Sequence, residues 1–324
     1  MILQFIVNGI VVGGIFVMGA IGLSLIYGIR NFANFAHGEL MALGAYVAYT
    51  LHSQFEGLHV NIVLAATAAF FVVSFVGILL EYTVFRRLEG RGVVTPLIAS
   101  FGLFFVIQNL VRIIWGPMVH QYILPPTFLG HPTRQGIQLA FGVSLTIIQI
   151  FTLIIALILV TILHIILKYS KLGKAMRATS DNFELAKTTG IDTRLVIMVT
   201  WFIGAGFAAV GGVLLGLNTQ IRPEMGFLIL LFLFAAVIVG GIGSAYGALL
   251  GGMAIGITSE VSKYLLFLNG IDSAFSPAVV FAVLVAMLIV RPEGILGGEP
   301  ITKDIRRLGM RIRKLARKIA ALGR

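Results

Sequence analysis

Nine apolar runs, separated by polar, glycine- or proline-containing links, constrain the fold of this chain more than any motif does. A helix that crosses a bilayer needs about 20 mainly apolar residues, and lipid requires every backbone amide to be bonded within the protein. The sequence therefore predicts an all-α polytopic membrane protein with eight or nine transmembrane helices. Two of the runs, 38–52 and 226–240, are short, so each is a candidate half-helix or re-entrant segment. The runs cover residues 2–29, 38–52, 60–84, 93–114, 142–167, 195–217, 226–240, 247–268 and 276–290.

The composition agrees with a membrane protein. Of the 324 residues, 58% are hydrophobic and only 11% are charged, and the mean hydropathy is +1.01. A soluble domain carries roughly 25% charged residues. The chain contains no cysteine, which excludes a disulfide framework and a thiolate metal site.

The distribution of Lys and Arg predicts the orientation. Basic residues follow the first, third, fifth and last apolar runs, whereas the links between them are poor in positive charge. Short cytoplasmic loops retain Lys and Arg. We therefore expect an external N-terminus, a cytoplasmic C-terminus, a permease domain over 1–302 and a cytoplasmic loop over 168–194.

The C-terminal segment 303–324 carries nine of the 24 basic residues. Its apolar residues recur at steps of three and four, which places them on one face of a helix. This pattern predicts a basic amphipathic cytoplasmic tail on anionic lipid, and a partner-binding or disordered tail is the alternative. The net charge of +11 is concentrated here, so nucleic acid is not an expected partner.

No pattern of enzymatic chemistry is present. The chain has no Gly-x-x-x-x-Gly-Lys-Ser/Thr phosphate loop, so ATP hydrolysis is expected on other chains. His37 and Glu39 are two residues apart and would point to different helix faces, which argues against a metal site. We expect no catalytic residues, no metal and no cofactor bound by this chain.

Polar residues close to the apolar runs are candidates for a translocation path. Four of them, Asn31, Asn34, His37 and Glu39, are expected in the first cytoplasmic turn, at the foot of the first span. Such groups are costly in a membrane unless they pair or face water. The alternatives are a helix cap at Asn31 or Asn34, backbone hydrogen bonds from His37 and Glu39, and helix-to-helix hydrogen bonds elsewhere. The candidates are Asn31, Asn34, His37, Glu39, Gln108, Asn109, Asn218 and Thr219.

Closely spaced glycines between residues 240 and 256 predict tight helix packing with a local break. Glycines four residues apart let helix backbones approach closely. A pore-lining bend is the alternative function of the same residues. The packing candidates are Gly240, Gly241, Gly243, Gly247 and Gly251.

Two segments carry a resemblance to a known family. Residues 184–190 resemble the Glu-Ala-Ala-x-x-x-Gly loop by which prokaryotic import permeases dock onto a separate ATPase, with Leu185 in place of the middle alanine. Residues 34–39, Asn-Phe-Ala-His-Gly-Glu, followed by Gly-Ala-Tyr at 44–46, resemble the first permease of branched-chain amino-acid ABC importers. Weaker matches are Tyr-Gly at 27–28, the glycines after 240 and Arg-Pro-Glu-Gly-Ile at 291–295.

The resemblance implies a subunit of an ATP-driven importer of branched-chain or other hydrophobic amino acids in a prokaryotic cell membrane. It implies four partner chains: a second homologous permease, two cytoplasmic ATPases that hold ATP and Mg, and an extracytoplasmic binding protein. The 171–190 loop would carry a short coupling helix that moves as a lever. The implied docking residues are Glu184, Ala186, Gly190, Lys171, Arg177 and Lys187.

Two other functions remain open from the sequence. Permeases of similar design import urea or short amides. An ion-coupled secondary transporter would use intramembrane carboxylates, for which Glu39, Glu81 and Glu260 are the candidates.

Overall fold

The computed structural model describes residues 2–54, 60–128, 131–133, 135–138 and 142–296. The basic tail predicted over 303–324 lies outside these residues. Eleven α-helices account for most of the described chain. They are α1 (Ile2–Arg30), α2 (His37–Tyr49), α3 (Ile62–Thr83), α4 (Val94–Trp115), α5 (Ile147–Tyr169), α6 (Lys171–Asp181), α7 (Phe183–Thr188), α8 (Thr193–Asn218), α9 (Met225–Gly240), α10 (Ala245–Leu268) and α11 (Ser276–Val290).

Two small antiparallel sheets lie between α4 and α5. Strand β1 (Thr127–Phe128) pairs with β2 (His131–Pro132), and β3 (Gly136–Gln138) pairs with β4 (Ser144–Thr146). In the second sheet, Ile137 is opposite Leu145.

Each predicted apolar run is helical, but the number of predicted crossings is not confirmed. Among the described residues, six helices are long and apolar enough to cross a membrane, or up to seven if α9 and α10 form one bent span. With 13 and 16 residues, α2 and α9 are too short to qualify alone. At 1.5 Å per residue, α2 extends only about 20 Å.

Two helices form the centre of the bundle. In α1 and α8, 89% and 83% of the most apolar segment is buried, against 17–33% in the other four spanning candidates. The exposed large apolar side chains of α3, α4 and α5 are compatible with contact to lipid. A motion of α1 or α8 would therefore displace most of the packed core.

Glycines bring α1 and α10 into backbone contact. A Cβ added at Gly9 would lie 2.6 Å from the Cα of Ile257, and one at Gly252 would lie 2.9 Å from the nitrogen of Val17. On both helices the contacting glycines are four residues apart. Small residues at this spacing allow close packing without a hydrophobic driving force.

The predicted glycine cluster has two structural roles. Gly247 and Gly251 of α10 pack against the α9 backbone around Gly240. Gly241 and Gly243 instead lie in the break between α9 and α10, with φ angles of +112° and +82°. The two helices are bent there by 120°, a conformation that glycine adopts readily.

The two ends of the bundle differ. We call the end formed by the last turn of α1, the last turn of α5 and the first turn of α8 the α6–α7 end, because α6 and α7 join it. At the opposite end, the isolated bridge between His120 and Ile221 ties two links together. There the Tyr122 hydroxyl, which is buried, donates to the Ala45 carbonyl over 2.9 Å.

Candidate functional site

Two short helices, α6 and α7, form the charged segment between α5 and α8. Ser170 begins α6, because its Oγ accepts from the Gly173 amide over 2.8 Å. Asn182, with φ −156° and ψ 101°, interrupts the helix, and its Oδ1 accepts from the Leu185 amide over 3.0 Å. Side chains of this type at a helix start satisfy amides that have no partner in the helix. The sequence therefore encodes a kinked pair rather than one helix.

Gly190 ends α7 as a left-handed C-terminal cap. Its φ is +86°. The Ile191 amide donates to the Ala186 carbonyl over 3.1 Å, and the Gly190 amide donates to the Lys187 carbonyl over 3.4 Å. This pair of bonds is the Schellman motif, which favours glycine at this position. Gly190 thus has a structural role in addition to any contact with a partner.

The surface of α7 carries apolar and charged side chains side by side. Ala186 is only 3% exposed and holds the helix on the bundle, whereas Leu185 is 59% exposed. Glu184 and Lys187 are also exposed. Leu185 therefore offers an exposed apolar side chain beside charged ones, outside the spanning helices.

On α6, the inward face is formed by Gly173, Met176 and Thr179, all buried. Lys171 and Arg177 are exposed. The docking residues implied by the family resemblance therefore lie at one end of the bundle. All of them are exposed except Ala186.

Both sides of this segment adjoin cavities. One, of about 430 Å³, is lined by the end of α1, by Met176 and Ser180 of α6 and by the break at 242–246. The other, of about 380 Å³, is lined by Lys187 of α7, Arg194 of α8 and the end of α3. In the second cavity Arg30 bonds Glu81 and lies 3.2 Å from a carboxylate oxygen of Glu89.

The polar cluster at the start of α2 lies deep in the bundle. Asn34, His37 and Glu39 are 0% exposed. The His37 Nε2 is 3.0 Å from the Gly19 carbonyl oxygen. Gly19 precedes the last residue of α1 by 11 positions, which is about 16 Å along a helix. The sequence predicted these residues at the foot of the first span, and that placement is wrong, because residues 31–36 fold back along α1.

Asn34 does not cap α2, because the N-cap residue of that helix is Ala36 and no side-chain cap bond is present there. The Asn34 Oδ1 accepts from the Ala36 amide over 3.1 Å in the turn before the helix, while its Nδ2 has no partner among the described residues. Asn31 is separate from the cluster. It is exposed, has a φ of +54°, and lines the cavity of about 430 Å³ at the α6–α7 end.

Glu39 lies where two short helices begin. It is the third residue of α2, and a Cβ added at Gly226, the second residue of α9, would be 2.5 Å from its Oε1. Neither carboxylate oxygen has a hydrogen-bond partner among the described residues. Helix N-termini carry partial positive charge. The starts of α2 and α9 therefore place partial positive charge beside this side chain.

The other predicted path residues do not join this cluster. Asn109 donates to the Phe105 carbonyl of its own helix over 2.8 Å. Asn218 donates to Thr152 Oγ1 over 2.8 Å, which is the helix-to-helix hydrogen bond of the alternative interpretation. Gln108 is 7% exposed on α4. Of this second group, only Thr219 lines the large cavity at the opposite end.

That cavity, of about 780 Å³, lies at the end of the bundle opposite α6 and α7. Sequence analysis missed two of its charged residues, Arg222 and Lys263. The available signal was a charged pair three residues apart, Glu260 and Lys263, late in the apolar run 247–268. The polar side chains of the cavity come from the α4–α5 link, the α8–α9 link, α10 and the residues around the start of α11, which no local pattern connects.

Comparisons with known proteins agree with the family resemblance. The model of the family described as "Branched-chain amino acid transport system / permease component" matches residues 5–290. The chain is 33% identical over 307 residues to the high-affinity branched-chain amino acid transport system permease protein LivH of Salmonella typhimurium, covering 93% of this chain and 97% of LivH. It is 32% identical over 310 residues to BraD of Pseudomonas aeruginosa, with 93% and 97% covered. It is also 26% identical over 307 residues to the LivM permease of Salmonella typhimurium, with 89% and 68% covered. The chain therefore belongs to the family of permease components of branched-chain amino acid transport systems.

Proposed function

We propose that this chain is the membrane-spanning subunit of an ATP-driven importer for branched-chain or other hydrophobic amino acids. The observation that carries the proposal is the kinked pair α6–α7. It presents an exposed Leu185, with Glu184 and Lys187 beside it, on an otherwise apolar bundle. The names of the relatives supply the substrate class. Family membership favours this function over import of urea and over ion coupling.

The packing of α6 explains how a force on α7 would reach the core. A Cβ at Gly173 would overlap the carbonyl oxygens of Ile166 and Leu167 in α5. A Cβ at Gly28 of α1 would lie 2.9 Å from the Ser180 Oγ. At close-packed contacts of this kind, one helix cannot shift without displacing its neighbour. In our proposal an ATPase displaces α7 and α6 as one body, and α1 and α8 follow.

The proposed assembly contains a second homologous permease, two ATPases and an external binding protein. The similarity to both LivH and LivM of one organism supports a pair of homologous permeases. ATP and Mg would bind to the ATPases. Lys171, Arg177 and Lys187 provide positive charge that would complement an acidic cleft on the ATPase. We place this end in the cytoplasm of a prokaryotic cell, the N-terminus outside, and the tail 303–324 on anionic lipid.

We also propose a translocation route through this subunit. Thr219 marks its outer end and Asn31 its cytoplasmic end, and the buried cluster of Asn34, His37 and Glu39 lies between them. A route for an aliphatic amino acid needs few polar groups, which agrees with the small size of this cluster. The breaks before α2 and between α9 and α10 provide the flexible points.

Co-purification tests the docking site. The chain is expressed with its genomic neighbours as the wild type, as Glu184→Arg and as Asp181→Arg. Asp181 is the matched control, because it is an exposed acidic residue three positions away but lies on α6. We expect the wild type and the control to retain the ATPase. Glu184→Arg should lose it while still retaining the second permease.

Two outcomes would contradict the proposal. Full retention of the ATPase by Glu184→Arg would move the docking site away from α7. Absence of an ATPase from all three preparations, with transport by the isolated chain, would favour an ion-coupled transporter.

A further inference from the structure

The cavity at the end opposite α6 and α7 combines an apolar floor with charges of both signs. We propose that it is the entry site of this subunit, where a free zwitterionic amino acid with an apolar side chain is held before it crosses the membrane. This inference rests on the proposed import function. It adds the location and the recognition chemistry, which family membership does not supply.

The size and composition of the cavity suit a small molecule. Its volume of about 780 Å³ falls within the roughly 300–1,000 Å³ of typical ligand sites, which are mainly apolar with a few placed polar groups. The floor is formed by α1, α9 and the start of α11. Its apolar side chains include Val12, Phe16, Ile229, Phe232 and Pro277.

Phe16 and Phe232 form the aromatic part of this floor. Their ring centroids are 5.3 Å apart with planes at 23°, so the rings stack across α1 and α9. Aromatic side chains of this kind bury a large apolar area with little loss of freedom. The floor therefore matches an aliphatic side chain better than it matches urea or a short amide.

Arg222 is the cavity residue best placed to bind a carboxylate. It is exposed, and its guanidinium donates to the Gln220 Oε1 over 2.9 Å. No acidic side chain among the described residues pairs with it. A guanidinium binds a carboxylate through two parallel hydrogen bonds.

Glu260 provides the opposite charge. One of its oxygens bonds Lys263, and its side chain is 11% exposed. The second carboxylate oxygen makes no hydrogen bond among the described residues and is available to an ammonium group. A cation from the link before α9 and an anion from α10 thus line the same cavity as the apolar floor, which is the charge arrangement of a free amino acid.

Thiol labelling tests the site without depending on transport. The wild-type chain contains no cysteine, so labelling of this chain, once separated from its partners, reports the introduced thiol alone. Ala274 is exposed and lines the cavity, whereas Ile271 is 47% exposed and lies outside its lining. Ala274→Cys and Ile271→Cys are prepared in the assembled complex and treated with a membrane-impermeant thiol reagent. Ser273→Cys is a second cavity reporter in case Ala274→Cys does not assemble.

We expect leucine to slow labelling of the cavity thiol and not of the Ile271→Cys thiol. 4-Methylpentanoate, which lacks the ammonium group, and leucinol, which lacks the carboxylate, should protect less. Adding Arg222→Gln should raise the half-protecting leucine concentration by about tenfold or more, because a charge-assisted hydrogen bond is lost. Arg222→Lys should restore part of that affinity.

The results separate this inference from the proposed function. If the wild-type complex imports leucine but leucine protects neither cavity thiol, the entry site is refuted and the import function stands. Protection by urea or propionamide but not by leucine also refutes the site. If the wild-type complex shows no ATP-dependent uptake of aliphatic amino acids, the proposed function fails whatever the labelling shows.

Discussion

Gly190→Asp should separate coupling from stability. Gly190 has a φ of +86° and no atom within 4 Å of an added Cβ, so any close contact at this position would be with another chain. Gly90 offers a matched control, because its φ is +80° and its Cβ position is equally open. It follows α3 in the link to α4. Aspartate at each position adds the same charge and the same backbone strain.

The magnitude of the strain can be worked out from the backbone. A non-glycine residue in the left-handed region costs about 1–2 kcal/mol, and less for aspartate, which tolerates that region better than most residues. A typical domain is stable by about 5–15 kcal/mol. Both variants should therefore insert and fold, with similar small losses of stability. Only Gly190→Asp should lose uptake, because it places a charge at the end of the proposed coupling helix.

The assay compares wild type and both variants in proteoliposomes with the co-expressed partners. Membrane content, thermal stability, ATP hydrolysis and leucine uptake are measured on the same preparations. We expect Gly190→Asp to lose uptake and Gly90→Asp to retain it. Uptake at the wild-type rate by Gly190→Asp, or equal loss in both variants, would refute the assignment of α7 as the coupling helix.

Three further predictions concern groups buried in the bundle. The Cβ of Gly256→Ala would overlap the α1 backbone, whereas the Cβ of Gly14→Ala would lie 3.5 Å from its nearest neighbour. Overpacking should therefore lower the free energy of unfolding of Gly256→Ala, measured in detergent, by about 1–3 kcal/mol relative to Gly14→Ala. Equal stabilities would contradict the close contact. Arg30→Met should lower the free energy of unfolding by about 3–5 kcal/mol, because it leaves the buried carboxylate of Glu81 unpaired. Adding Glu81→Leu should recover most of that loss. If stability does not recover, the pair is not the cause. Burial raises the pKa of Tyr122 above its ordinary value, so the folded state keeps the phenol protonated while the unfolded state ionises above about pH 10. Stability should therefore fall as the pH rises above that value, and the fall should be smaller in Tyr122→Phe; identical pH profiles would refute this contribution.

The sequence alone predicted the helices and the family. Every apolar run contains a helix, because hydropathy reports directly which segments avoid water, although the run 142–167 begins with strand β4 and its helix starts only at Ile147. The two short helices α6 and α7 also have local causes. Ser170 and Asn182 each accept from a backbone amide at the start of a helix, and Gly190 ends α7. The motif at 34–39 and the loop at 184–190 identified the family that the comparisons show.

The tertiary structure decided where the polar groups lie. The sequence placed His37 at the foot of a span, yet it packs against Gly19, because residues 31–36 fold back along α1. The eight predicted path residues do not form one site. Asn34, His37 and Glu39 form the buried cluster, and the other five lie elsewhere. The charged cavity brings Arg222 together with Glu260, although 38 positions separate them in the chain. Local patterns report burial and helix ends, whereas depth in the bundle and the meeting of distant side chains depend on long-range contacts that hydropathy does not record.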